Sequence, residues 1–276
     1  GSLAATGKGH LTEETLREAF AGRPLEIAFR PETFLPRHPN ALTFEARDAG
    51  GRTVETWTAY SVGGGTIVDD RTPPGAGRVY PFASMEEVLA YGEKNGLRLW
   101  EIVEAHEGPG VRDRLGEVWS VMRAAVKRGL AAEGVLPGAL KLPRKARSYS
   151  LKAKGLSGAL RAAARLFSYA LAVSEENAAC GRIVTAPTCG SAGVVPAVLS
   201  LLAESRGIGP ADIVRALETA GLFGAMAKAN ASISGAEVGC QGEIGVACAM
   251  AGAAAAQLSG GTPAQIEYAA EMGLEH

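Results

Sequence analysis

The last 99 residues of the chain, 178–276, carry 12 Asp, Glu, Lys or Arg, and the 177 before them carry the other 45. A stretch so poor in charge cannot cover its own surface in water, so it must supply the core of something larger. Its apolar positions recur at helical spacing rather than alternating. The far half is therefore expected to be a set of packed helices, and the near half an ordinary surface-rich region. Hydrophobic residues make up 47% of the 276, enough for a sizeable core and too many for a disordered chain. Lys and Arg (28) nearly balance Asp and Glu (29), so there is no global basic field to hold nucleic acid or an anionic membrane. The longest uncharged run, 244–266, is dominated by Ala and Gly and broken by Ser259 to Pro263, so no membrane span is expected. Residues 1–10 show no secretory apolar region. Four cysteines (Cys180, Cys189, Cys240, Cys248) are too few for a disulfide scaffold, which points to a reducing, cytoplasmic setting.

The near half opens on a helix, 12–21, with Thr12 as the expected N-cap and Glu13 and Glu14 at the positive end of its dipole. Strand-like alternation follows at 24–29 (PLEIAF), 41–47 (ALTFEAR), 52–60 and 66–68, with a turn at 48–51 (DAGG). One helix followed by antiparallel strands suggests a small β-rich domain over 1–70. The Pro/Gly-rich run RTPPGAGR (71–78) opens a linker, 71–83. Ser84 and Glu87 fit a capping box, and helices are expected at about 85–95, 111–133, 157–178, 194–206, 210–228, 238–258 and 263–275. Residues 137–147 (PGALKLPRKAR) read as an irregular basic segment. The fold class is α+β: a β-rich domain, then an all-helical domain over 84–276.

Two stretches could carry chemistry. Residues 185–193 (TAPTCGSAG) form a loop of small and hydroxylated residues running into an apolar helix. Unpaired N–H groups at such a helix start, with hydroxyls from Thr188 and Ser191, suit a carboxylate or phosphate, although an N-capping loop with no ligand has the same composition. Residues 230–243 (NASISGAEVGCQGE) place Asn, Ser, Glu, Gln and Cys between two apolar helices. Burying so many polar groups without partners costs roughly 1–3 kcal/mol each, so a site inside the core is expected here, a surface loop being the plainer alternative. Cys240 alone among the cysteines sits among polar groups and is a candidate thiolate ligand or nucleophile. Cys180 and Cys248, in Ala-rich surroundings, read as small core residues. The four histidines show no H-x-x-H spacing, so a histidine zinc site has little support. Lys8 and His10, in GKGH, read first as a solvated turn. Lys228 could form a Schiff base with pyridoxal phosphate, but no phosphate cradle accompanies it, and a charge balancing a helix C-terminus is the simpler reading.

The longer motifs resemble the bacterial iron–sulfur L-serine dehydratases of the single-chain type. The resemblance is carried by TAPTCGSAGVVPAVL (185–199), NASISGAEVGCQGEIGVACAMAG (230–252) and GGTPAQIEYAAEMGLEH (260–276). It extends through GKGH (7–10), HPNALTFEA (38–46), YSVGGGTIVDD (60–70), EGVLPGALKLPRKA (133–146) and EENAACGR (175–182), in the family's order along the whole chain. It implies a β-rich domain like the allosteric substrate-binding domains of other amino-acid enzymes, followed by a helical catalytic domain. It implies deamination of L-serine to pyruvate and ammonia in amino-acid catabolism, without pyridoxal phosphate. A 4Fe–4S cluster held by three cysteines would leave one iron open as a Lewis acid for the substrate hydroxyl.

Carried over position by position, the resemblance makes Cys240 a cluster ligand. It makes Thr185, Thr188, Gly190 and Ser191 a clamp for the substrate carboxylate. Asn230, Ser232, Ser234, Lys8 and His10 fall to the catalytic pocket. The family's other two cluster cysteines follow its LEH segment, and its Ser/His-rich segment precedes the position of Gly1. The 276 residues are accordingly expected to lack family motifs at both ends and to be inactive alone. A catalytically dead piece that keeps amino-acid binding is the competing expectation. The partners expected are L-serine and a second copy of the chain, a homodimer, with neither nucleic acid nor membrane.

Overall fold

The computed structural model describes residues 1–73, 78–138 and 140–275, with the backbone alone for His10. The chain divides into two compact units, Gly1–Ala76 with Gly138–Leu140, and Gly77–Pro137 with Lys141–His276. Most of the expected 71–83 linker lies within the described residues, but 74–77 lie outside them.

The first unit holds α1 (Ser2–Gly7), a 3-10 turn (Lys8–His10), α2 (Thr12–Ala19) and an antiparallel sheet of β1 (Ala41–Arg47), β2 (Thr53–Ser61) and β3 (Ile67–Asp69), in that spatial order. The β1–β2 register sets Phe44 opposite Trp57, and their rings stack at 5.4 Å. Asp48 makes the hairpin turn by accepting hydrogen bonds from the N–H groups of Gly50 and Arg52, each at 3.0 Å. Two expectations need correction. Residues 24–29 are not a strand: Leu25, Ile27 and Phe29 are half-buried between exposed neighbours, but among the described residues no strand pairs with them. Alternation reports a buried face; a ladder also needs a partner. Thr12 is not the N-cap of α2 either, because Leu11, in the left-handed region at φ 58°, occupies that place.

The second unit is helical: α3 (Met85–Asn95), α4 (Leu99–Glu107), α5 (Val111–Ala131), α6 (Ala146–Lys154), α7 (Gly158–Ala178), α8 (Val194–Arg206), α9 (Pro210–Asn230), α10 (Gly235–Leu258) and α11 (Pro263–Leu274). The protein is α+β, with its small sheet ahead of the helices. Local chemistry sets several helix ends. The Ser84 hydroxyl accepts from the Glu87 N–H at 3.3 Å, while the Glu87 carboxylate reaches back to the Ala83 N–H at 2.7 Å. Thr262 and Gln265 form a reciprocal capping box ahead of α11. Helices α4 and α6 were not expected, and α6 takes in residues assigned above to an irregular segment.

Helix α10 lies against α8, α9 and α11. It is long and apolar enough to cross a membrane by length and composition alone, and 44% of its most apolar window is buried. Its contact with α11 depends on missing side chains. A Cβ at Gly252 would stand 2.7 Å from the Ala269 carbonyl oxygen, and one at Gly273 would stand 2.6 Å from that of Cys248. Val195, Leu199, Ile213, Leu217, Val246 and Met250 form one core region, and Val88, Ile102, Leu222, Phe223 and Ile266 another.

Candidate active site

The end of α7 positions the loop that leads into α8. Three consecutive side chains there do separate jobs. The buried Glu175 carboxylate accepts from the N–H groups of Lys145 and Ala146, at 2.5 and 3.0 Å, and so caps the start of α6. Glu176 accepts from Arg128 Nε at 2.7 Å, and the same guanidinium donates to the Arg182 carbonyl at 2.5 Å. Asn177 donates from Nδ2 to the Cys189 carbonyl at 3.1 Å. The EENAACGR motif thus orders backbone on both sides of the loop.

Within the loop, Thr188 and Ser191 are 4% and 1% exposed, and their hydroxyls are hydrogen-bonded to one another at 3.0 Å. Thr185 is half-buried and Gly190 exposed. Gly193 is the N-cap of α8, and no side chain caps that helix start. Its first N–H groups and the positive dipole end stand beside the buried hydroxyl pair, an arrangement that can receive a carboxylate.

The second stretch connects α9 to α10. Asn230 ends α9 and is exposed; Lys228 is exposed in its last turn, as a helix C-terminal charge should be. Ser232 donates its hydroxyl to Glu237 and accepts from the Ser234 N–H at 3.0 Å. Ser234 is buried, and its carbonyl accepts from the N–H groups of Glu237 and Val238, both at 2.9 Å, which starts the first turn of α10. Gly239 then breaks the helix at φ 69°, ψ 178°, a conformation open essentially to glycine alone. Cys240 is the next residue. It is exposed, as are Glu237, Val238 and Gln241. The expectation of a polar segment inside the core is corrected here: Ile233 and Ser234 are buried, and most of the rest faces out.

Glu243 joins the two stretches. Its carboxylate lies against two glycines: a Cβ at Gly190 would stand 2.8 Å from it, and one at Gly235 would stand 2.6 Å from it. Both distances are shorter than real Cβ contacts allow, so the acid fills the space that a side chain at either position would need. Partial burial, and secondarily the Glu243 charge, push the Cys189 thiol above its usual range. The sequence reading missed Glu243 as a site residue. Its one available signal was the spacing, three residues after Cys240, which sets both on one side of a helix.

The remaining site residues separate. Lys8 and His10 belong to the first unit, where Lys8 Nζ stands 5.3 Å from the centre of the Phe29 ring. Cys180 is exposed and left-handed at φ 56°, so it is a turn residue and not the expected core residue. Cys248 is half-buried, and burial raises its thiol. Cys240 and Cys248 share the straight arm of α10 eight residues apart, a rise of about 12 Å. Among the described residues no group of three His, Cys, Asp or Glu side chains could hold a metal ion. They do not by themselves fit a cluster held by three thiolates.

The family model for the serine dehydratase alpha chain matches residues 84–276, and the model for the beta chain matches residues 19–72. The chain belongs to the serine dehydratase family. Among its curated relatives, the L-serine dehydratase of Streptomyces coelicolor is 46% identical over 88% of this chain and 56% of its own length. L-serine dehydratase 1 of Escherichia coli is 39% identical over the whole of this chain and 72% of its own length. The Mycobacterium tuberculosis L-serine dehydratase is 40% identical over the whole of this chain and 71% of its own length. The chain thus spans a little over half of the first relative and about seven-tenths of the other two. The alpha-chain match covers every residue of the loop, of the 230–243 stretch and of α10.

Proposed function

We propose that the whole protein deaminates L-serine. In that reaction the substrate loses its α-proton and its β-hydroxyl as water, leaving aminoacrylate. The aminoacrylate tautomerises to an imine, and water hydrolyses the imine to pyruvate and ammonia. The relatives' shared name supports the reading. The observation that carries it is the meeting of the loop and the 230–243 stretch at Glu243, which puts hydroxyls, a helix start and an acid in one small place.

The chain's own groups have definite tasks in this proposal. Thr188 and Ser191 give up their mutual hydrogen bond to hold the α-carboxylate, together with the N–H groups at the start of α8. Gly190 lets the ligand approach the backbone, and Thr185 sits at the loop's beginning. Ser232, Ser234 and Asn230 border the pocket from the α9–α10 connection. Lys8 and His10 are proposed catalytic residues on the resemblance alone. Cys240, exposed and three residues before Glu243, is the thiol that this chain would offer to an iron–sulfur cluster. No step is drawn through that cluster, because the described residues do not fit it unaided. A beta-type domain over 1–70, a linker over 71–83 and a catalytic domain over 84–276 belong to the same reading, as do a cytoplasmic setting and a homodimer.

The test is product analysis. The whole protein, prepared without air and given L-serine, is expected to release pyruvate and ammonia in equal amounts. Serine binding with no product from the whole protein would instead favour an amino-acid-binding module.

A further inference from the structure

We infer that the Glu243 carboxylate anchors the α-ammonium group of the amino-acid ligand. This rests on the serine reading and adds to it the residue that distinguishes an amino acid from a hydroxy acid. Glu243 is half-buried, and among the described residues no hydrogen bond or ion pair satisfies it. A carboxylate with no cation of its own is open to a charge-assisted hydrogen bond from a cationic ligand. Its charge is felt in the loop, since the Cys189 thiol is raised by burial and, secondarily, by it.

Geometry limits what else this acid can do. The backbones of Gly190 and Gly235 approach it from two segments, and neither carries a side chain that would displace it. Gly190 is next to Ser191, whose hydroxyl belongs to the pair proposed to take the α-carboxylate. An amino acid presents its two charges on neighbouring atoms, a carboxylate and an ammonium. The place where Glu243 meets Gly190 presents the complement on neighbouring segments: hydroxyls and a helix start on one side, an unpaired acid on the other.

Calorimetric titration of the chain with L-serine and with 3-hydroxypropionate tests this. The second compound keeps the carboxylate and the hydroxyl and lacks the ammonium. Wild type should bind serine more tightly than the hydroxy acid. Glu243→Gln should weaken serine binding at least about tenfold and leave 3-hydroxypropionate unchanged, as expected for the loss of a charge-assisted contact. Glu243→Asp, which keeps the charge and shortens the reach, should weaken serine binding selectively and less, and it serves as the test by itself if the glutamine variant does not fold. Equal loss for both compounds, or no loss for either, would overturn the anchor. A wild-type chain that binds neither compound would overturn this inference and leave the serine reading to product analysis of the whole protein.

Discussion

Glu218 on α9 is 1% exposed and sits beside Glu104 of α4, the two acids sharing the guanidinium of Arg112 on α5. Arg112 and Arg215 both stack on Trp100, at 5.3 and 4.8 Å from its ring centre. Burial first, and the neighbouring Glu104 charge second, raise the Glu218 carboxyl to about 7, with Arg112 opposing. The folded state therefore holds a proton on Glu218 that the unfolded chain has already lost. Stability from this group is fully present below the ordinary carboxylate range and is lost as pH rises towards about 7, on the order of 3 kcal/mol in all. Glu218→Gln stays neutral throughout. Its melting temperature relative to wild type should rise as pH climbs towards about 7 and level off above; a difference independent of pH would contradict this. The buried acid was invisible in the sequence, where Glu218 reads as one of few charges on an apolar helix. Glu243 was equally hidden, because its contacts with Gly190 and Gly235 exist only after folding. Cys180 misled for the opposite reason: its Ala-rich neighbours suggested burial, but it follows the end of α7 directly, in a reversing turn.

Among the elements, those with local signals were legible. Helix α3 runs over the residues its capping pattern implied, and the β1–β2 hairpin follows from alternation around a DAGG turn. Helix α6 was not legible, because its N-terminus is satisfied by Glu175, 29 positions further on. A cap delivered from another helix leaves no trace near the residues it caps. Helix α4 did carry a signal, with Leu99, Ile102 and Val103 at helical spacing and Glu101 accepting from the Arg98 N–H at 2.7 Å, but over only nine residues. The break in α10 is the element on which the site depends. Gly239→Ala forces a side chain into a glycine-only conformation, at about 1–3 kcal/mol. It should lower the melting temperature and weaken both serine and 3-hydroxypropionate binding, since the arm bearing Cys240 and Glu243 starts there. Unchanged calorimetry would show that the break is incidental to the cleft.

For the molecule as a whole, the shift in charge density already separated a surface-rich near half from a core-forming far half. What it could not supply was which of the scattered polar residues would meet. Thr188, Ser191 and Glu243 come together in the second unit, while Lys8 and His10 lie in the first. Among the described residues no three thiols gather at Cys240, which alone is too little to hold four irons. A polypeptide of these 276 residues, treated with iron and sulfide without air, should therefore gain no lasting visible charge-transfer absorption and release no ammonia from L-serine; ammonia release would refute this. The bare backbone at 190 and 235 also has a use at the bench. Directed evolution aimed at a bulkier ligand can randomise 188 and 191 at once, whereas a methyl at 190 or 235 makes the flexible end of Glu243 swing aside. A library at those two glycines therefore re-aims the acid as well as filling space, and screening each clone on serine and 3-hydroxypropionate side by side separates the two effects.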